Sequence, residues 1–393
     1  MEAQQVWERI RRDAVDIFSA EGLRERLLEG RPLRVKLGAD PSRPDLHLGH
    51  SVVLRKLKLL QEAGHEIVFV IGDFTGMIGD PTGRSKTRVA LTQEETRRNG
   101  QTYFEQVTKI LDPVKTRIEY NSTWLGALNM ADALQLAGTY TLARILERDD
   151  FANRMAARQA IGMHELFYPL LQGYDSVALQ ADVEVGGTDQ TFNLLVGREL
   201  QRHWGQRPQE VITFPLLPGL DGSEKMSKSQ GNTIGLDEPA DAMFEKCMRV
   251  PDPLLGLYAR LTTDLNAEDF QAAVQRDVRD AHLIYAREIV RLYHGAGAVE
   301  PAEARYHIVA GGSTPEHMAE VTLPEPELPL ATVVCRAGLA PSTSEARRLI
   351  AGGGIRVDGQ PVNDPQAPMS GEAVVSRGKN RFVRVRMGVA NAI

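Results

Sequence analysis

Cysteine is scarce in this chain: among 393 residues only Cys247 and Cys335 occur. They stand far apart, with no metal-type spacing, which excludes a disulfide framework and a zinc knuckle. Both are expected to be buried as small hydrophobes. Long apolar runs are missing too. A membrane helix needs about 20 consecutive apolar residues, and no stretch approaches that. The segment 1–16 is charged throughout rather than basic and then apolar, so no secretory leader is expected and the reading is a cytoplasmic protein with no membrane partner. The familiar phosphate-binding strings are absent. There is no Walker A sequence, and Gly295-Ala296-Gly297 follows no strand and meets Glu300 where a dinucleotide fingerprint has its third glycine. That stretch reads as a helix-ending loop. Nor is there an overall excess of basic charge: 46 Lys and Arg face 52 Asp and Glu, a net charge of −6.

The charge is unevenly spread. From Leu328 to Ile393 nine bases face four acids, a local charge of +5 that leaves −11 on the remainder. This asymmetry points to a nucleic-acid-binding appendage on an acidic body, with a solvated basic tail as the plainer alternative. With 42% hydrophobic and 25% charged residues, the chain has the make-up of a globular protein. It is long enough for two or three domains with separate cores.

Apolar spacing predicts an amphipathic helix over 6–28, a short strand over 33–37, a helix over 51–63 and a fully buried strand over 67–71 between Gly64 and Gly72. Strand, helix, strand is a βαβ unit, in which ligands sit beyond the carboxyl ends of the strands. The glycine- and proline-rich loop 72–88 would fall there. Helical spacing recurs over 238–248, 254–261, 267–278 and 281–294. The segment 311–329, rich in Gly, Pro and Glu, reads as a linker. Beyond it a helix over 344–350 ends at Gly352-Gly353-Gly354, and 355–362 reads as a hairpin turning at Asp358-Gly359.

Two strings carry chemistry. Pro44-Asp45-Leu46-His47-Leu48-Gly49-His50 opens a helix, whose free N–H groups and positive dipole end attract phosphate. Its imidazoles add donors that titrate near neutral pH in the ordinary case. Far downstream, Lys225-Met226-Ser227-Lys228-Ser229 puts two ammonium groups on a loop that can close over a polyphosphate. Taken singly, either is matched by a surface histidine or a solvated charge pair. Together they form the two signatures of the class I aminoacyl-tRNA synthetases, the first with Leu48 for Ile and the second letter for letter.

Further strings sharpen the resemblance: Gly79-Asp80-Pro81-Thr82-Gly83-Arg84, Tyr168 to Asp175, and Gly186-Gly187-Thr188-Asp189-Gln190. The segment Ser344 to Ile350 with its basic hairpin is similar to a small RNA-binding module first described in a ribosomal small-subunit protein. With all of these in order, the chain resembles, over nearly its whole length, the bacterial tyrosyl-tRNA synthetases that carry this module. The tryptophanyl enzymes share the fold and both signatures; they are the nearest rival, and a catalytically dead RNA-binding protein is a second.

The resemblance implies an α/β fold: a Rossmann-like parallel-sheet catalytic domain (1–230), a helical anticodon-binding domain (231–312), a linker (313–329) and a small α+β RNA-binding domain (330–393). It implies a ligase that makes tyrosyl-adenylate from tyrosine and ATP. The tyrosyl group then passes to the 3′ end of tRNA(Tyr) through attack by the 2′-hydroxyl. Asp80, Tyr168 and Gln172 would surround the substrate ammonium, Asp175 would accept the phenol hydroxyl, and Gln190 would lie near the carbonyl. Tyr168, Gln172 and Asp175 share one helical face at spacings of four and three. Gly38, Asp40, Gly49, Gly187 and Met226 would line the nucleotide, with His50 and Asp189 at the ribose and His47 and Ser42 at the γ-phosphate. Arg84, Arg88, Lys225, Lys228 and Ser229 would gather around the departing pyrophosphate. Arg347, Arg348, Arg356 and Lys379 would touch tRNA phosphates. Mg2+ would come with ATP, held mainly by phosphate oxygens with no protein metal cage. A homodimer is expected, and the apolar-rich stretch 125–146 suits either its interface or an internal core. At two positions the chain departs from the family: Lys36 stands where many members have a tyrosine that gives a second phenol contact, and Leu37 replaces a ribose-contacting cysteine. Asp175 would then act alone or beside another group or a water.

Overall fold

The computed structural model describes residues 2–41, 45–82, 92–310, 318–378 and 381–388. Ser42, Arg84, Arg88 and Lys379 lie outside them. The chain groups into two compact units, 1–239 with 246–293, and 240–245 with 294–393.

The first unit is built on a six-stranded sheet of β1 (Asp16–Phe18), β2 (Arg34–Ala39), β3 (Glu66–Ile71), β4 (Thr116–Tyr120), β5 (Val183–Gly187) and β6 (Glu210–Phe214), ordered β1-β6-β5-β2-β3-β4. All neighbours run parallel except β1, which pairs antiparallel with β6. Residues 67–71 are buried on both faces, as their unbroken apolar run requires. The chain winds outward from β2 through β3 to β4, then returns to β5 on the other side of β2. Strand order reverses between β2 and β5, where a crevice forms at the carboxyl ends of the strands.

The helix Leu48–Glu62 buries Leu48, Val52, Leu57 and Leu60. The helix Met163–Leu179, which packs along Thr191–His203, buries Tyr168, Gln172 and Asp175 together, as their spacing predicts. The expected helix over 6–28 is interrupted. Helices Ala3–Asp13 and Ala20–Leu28 flank β1, because Asp16–Phe18 takes a sheet edge against β6 and Ser19 caps the next helix by accepting the Gly22 N–H at 3.1 Å. The stretch 125–146 has both characters: Leu125, Leu136 and Ile145 are buried, whereas Met130, Leu134 and Leu142 are exposed.

The helices expected after the lysine loop are present as Ala240–Cys247, Leu255–Thr262, Ala267–Arg276 and Val278–His294. Those from 255 to 293 fall in the first unit, where Asp264 pairs with Arg55 at 2.5 Å. In the second unit Phe244 meets Tyr306 at 5.6 Å and Asp241 meets Arg305 at 2.7 Å, holding 240–245 to the helix Val299–Ala310.

The rest of the second unit corrects the linker reading. Residues 311–317 lie outside the description, but 319–329 carry two strands, β7 (Ala319–Leu323) and β8 (Glu327–Pro329). Further on are β9 (Ile355–Val357), β10 (Gln360–Pro361), β11 (Pro368–Ser370), β12 (Glu372–Arg377) and β13 (Arg381–Met387). The main sheet is ordered β10-β9-β12-β13-β7, and β8 pairs with β11. Its proline and glutamate made 319–329 look unstructured; the parallel ladder of β7 on β13 supplies what local propensity lacks. The predicted hairpin is present. Asp358 and Gly359 both adopt positive φ, 48° and 81°, as a two-residue primed turn demands. Helices Leu330–Arg336 and Thr343–Ala351 close the core through Val333, Val334, Ala346 and Ile350 against Ile355, Val375 and Val385. Cys247 is buried as expected, but Cys335 is only partly so, since it lies on the outward side of its helix beside exposed Arg336.

Candidate active site

A cavity of about 950 Å3 opens at the strand-order reversal. Sixteen of the residues singled out in the sequence line it: Gly38, Asp40, His47, Gly49, His50, Asp80, Tyr168, Gln172, Asp175, Gly187, Asp189, Gln190, Lys225, Met226, Lys228 and Ser229. They come from separate parts of the chain because β2, β5 and their following loops end on one rim.

The two signature strings are stitched together by backbone. Leu48 N–H donates to Ile234 O at 2.9 Å and Leu236 N–H to Leu46 O at 3.0 Å, so the segment just after the lysine loop runs beside the start of the histidine helix. Gly49 permits the contact: a methyl there would stand 3.0 Å from the His47 ring and 3.6 Å from Met226 Cβ. The lysine loop also ties back through Met226 N–H to Leu217 O at 2.8 Å and Ser227 N–H to Asn232 Oδ1 at 2.7 Å. Lys225 Nζ reaches Asp189 at 2.8 Å, Lys228 pairs with Asp45, and the Ser227 and Ser229 hydroxyls are 2.8 Å apart.

The histidines differ from expectation in charge. Burial and the neighbouring Lys225 and Lys228 push His47 down to about 2, with His50 beside it adding to the effect. His50 is lowered to about 4, chiefly by burial. Both rings are therefore neutral near pH 7 rather than poised to titrate there. The His47 N–H donates to His50 Nδ1 at 3.2 Å, so the His50 ring proton is on Nε2. His47 Nδ1 is buried with no hydrogen-bond partner among the described residues.

At the other end Asp80 accepts from Arg148 at 3.1 Å, from Gln190 Nε2 at 2.7 Å and from the Thr82 hydroxyl at 2.6 Å. Burial would raise its carboxyl, but Arg148, Thr82 and Gln190 outweigh that and hold it below the ordinary carboxylate value. Tyr168 donates to Asp40 at 2.9 Å, and Asn193 donates to Gln172 at 3.0 Å. Asp175 faces the cavity and accepts from Trp124 Nε1 at 2.8 Å and Asn121 Nδ2 at 3.3 Å. Burial raises its carboxyl to about 6, against the pull of Lys36 and these two donors.

Asn121, Trp124, Arg148 and Asn193 were not foreseen, and Asp45 and Thr82, though within quoted strings, had been given no role. Asn121 and Trp124 follow β4, and recognising that strand would have put them beyond a carboxyl end. In the second unit Arg347, Arg348 and Arg356 are exposed, Arg348 paired with Glu345 at 2.8 Å and Arg356 donating to Gly359 O at 3.3 Å. No group of three or more His, Cys, Asp or Glu side chains among the described residues is arranged to hold a metal ion, and no described helix is long and apolar enough to cross a membrane.

Comparison with known proteins agrees with this geometry. Residues 28–307 match the family "tRNA synthetases class I (W and Y)", and residues 328–375 match the S4 domain. The tyrosine-tRNA ligase of Geobacter sulfurreducens is 50% identical over 392 residues, covering 96% of this chain and 97% of the relative. That of Deinococcus radiodurans is 50% identical over 389 residues, covering 96% and 95%. In fold, the chain is similar to the Archaeoglobus fulgidus tyrosyl-tRNA synthetase complexed with L-tyrosine, at a TM-score of 0.61 and 24% identity over 75% of this chain and 99% of that one. A cavity that joins both signature loops to a buried aspartate, a class I body and half-identical relatives along almost the entire length lead to one assignment: this chain belongs to the tyrosine-tRNA ligases, with an S4 domain at its C-terminal end.

Proposed function

We propose that the cavity divides the work of tyrosine activation between its two ends. The reading is supported above all by one observation: Asp175, buried and facing the cavity, shares it with both lysines and both histidines. At the amino-acid end Asp175 accepts the phenol hydroxyl. Asp80, Gln172 and the Tyr168 hydroxyl surround the ammonium, since a cation leaving water needs acceptors, and Gln190 borders the carbonyl.

At the nucleotide end Gly38, Asp40, Gly49, Gly187 and Met226 line the adenylate, with His50 and Asp189 at the ribose. His47 and Ser42 meet the γ-phosphate, His47 as a neutral imidazole. The substrate carboxylate attacks the α-phosphorus in line, and charge grows on the leaving pyrophosphate. Lys225 and Lys228 then exchange Asp189 and Asp45 for phosphate oxygens, joined by Ser229, Arg84 and Arg88. Groups that bind harder as charge develops lower the barrier rather than merely holding ATP. Mg2+ enters as counter-ion of the ATP substrate, carried by phosphate oxygens; among the described residues no group of three or more His, Cys, Asp or Glu side chains is arranged to hold it.

tRNA(Tyr) engages the helical segment 231–312, which reads the anticodon, and the basic module 330–393, where Arg347, Arg348, Arg356 and Lys379 contact phosphates. The 2′-hydroxyl of its 3′ end takes the tyrosyl group. A second copy of the chain covers exposed Met130, Leu134, Leu142, Met155 and Met163, giving a homodimer that works in the cytoplasm.

ATP–pyrophosphate exchange with tyrosine tests the division. Lys228→Ala should lower the exchange rate while the tyrosine KM barely moves, and Gln172→Ala should mainly raise the tyrosine KM. The reverse pattern overturns it.

A further inference from the structure

Lys36 is wholly buried in β2, and Glu184 beside it in β5 is 1% exposed. The Lys36 ammonium lies 2.8 Å from Glu184 Oε1 and donates to Gln172 O at 3.0 Å and to Ser176 Oγ at 2.9 Å. Two of the ammonium's three protons are donated, to Gln172 O and Ser176 Oγ, and Glu184 is held beside it as an ion pair. Lys36 is absent from the cavity wall that Leu37, Gly38 and Glu184 help form, so it does not reach a phenol bound there. This chain therefore has a charge one layer beneath the pocket.

A buried ion pair is costly to desolvate, and an apolar pair of similar volume is often as stable. Its position suggests what it does. Lys36 grips the helix Met163–Leu179 at Gln172 O and Ser176 Oγ, on either side of Asp175, and the Ser176 hydroxyl donates to Glu184 Oε2 at 3.0 Å. We infer that the Lys36–Glu184 pair is a positioning element for amino-acid selection: it fixes the helical turn that carries Asp175 and keeps that carboxylate ionised, as a pure acceptor for a phenol.

This rests on Asp175 as the phenol acceptor. The charged groups that act on it most are Lys36 from β2, which favours its ionised form, and Glu184 from β5, which opposes it more weakly. From the segment after β4 it meets the neutral donors Asn121 and Trp124, beside Asp73, which is held by Ser122. Asp40, Asp80 and Tyr168 line the same cavity. Removing both charges of the pair therefore takes away a net pull toward ionisation, and removing Lys36 alone does so more strongly.

The test is the pH profile of kcat/KM for tyrosine, by pyrophosphate exchange, in wild type, Lys36→Met and the double variant Lys36→Met/Glu184→Gln, with circular dichroism to verify folding. The profile of kcat/KM reports groups of the free enzyme. The expected result is an acid limb that moves upward by about one pH unit or more in the double variant, the ordinary size of a nearby-charge effect. The limb should move further in Lys36→Met, if that variant folds, while the ATP KM stays put. Discrimination against phenylalanine should weaken at pH 7 in both. Folded double variant with an unmoved acid limb overturns the role of the pair. Asp175→Asn separates the two readings: if it leaves tyrosine selection and the acid limb unchanged, the fault lies in the assignment of Asp175 itself.

Discussion

Replacing Asp175 by asparagine should trade activity for a changed pH dependence of stability, and the size of both effects can be worked out. Burial lifts this carboxyl from 3.8 to about 6. At about 1.4 kcal/mol per unit, keeping it ionised costs the fold roughly 3 kcal/mol at neutral pH. Because the folded pKa lies above the unfolded one, the folded chain holds more protons between those values. Wild-type stability therefore falls as pH rises from about 4 to about 6 and is flat above. Asparagine does not titrate and lacks this slope. It also brings an amide N–H up against Trp124 or Asn121, and one unpaired buried donor costs about 1–3 kcal/mol. At pH 7 the two effects nearly cancel. Urea unfolding of both proteins should thus give similar stabilities at pH 7 but a wild-type advantage that grows by roughly 2.5 kcal/mol on going down to pH 4. In pyrophosphate exchange the variant should lose roughly 10- to 100-fold in kcat/KM for tyrosine, the worth of a hydrogen bond to a charged acceptor. Phenylalanine should be little affected. Stability curves that run parallel from pH 4 to pH 7 would refute the argument that burial strains this carboxylate.

Further outcomes are expected. A chain ended after Ala310 should keep adenylate formation and lose tRNA charging, whereas a cut at Leu330 should give an aggregation-prone product because β7 and β8 would lose β13 and β11; in the full chain Arg347→Ala should weaken tRNA binding and make its salt dependence shallower by about one power of salt concentration. Leu134, 66% exposed, should when changed to glutamate shift sedimentation toward monomer, and an unchanged sedimentation coefficient would remove this face from the dimer interface.

Much of the site was legible because its chemistry is written in short strings. The histidine loop opens a helix, the lysine loop is a run of small and cationic residues, and the spacing of Tyr168, Gln172 and Asp175 fits one face of one helix; the described members all reach one cavity. What could not be read came from partners distant in sequence. Neutral His47 and His50 follow from burial beside Lys225 and Lys228, which no local pattern encodes. Asn121 and Trp124 bear on Asp175 only because β4 ends beside β3.

The sequence by itself determined the class of reaction, the βαβ core, the hairpin at Asp358-Gly359 and the basic character of the last domain, since each depends on residue type, period or near neighbours. Tertiary structure alone decided that 319–329 is sheet, that residues 6–28 break around an edge strand, and that Lys36 lies beneath the pocket, bound to Gln172, Ser176 and Glu184. Hydrogen-bond ladders and desolvation are set by whatever the rest of the chain brings alongside, and that is a property of the folded whole.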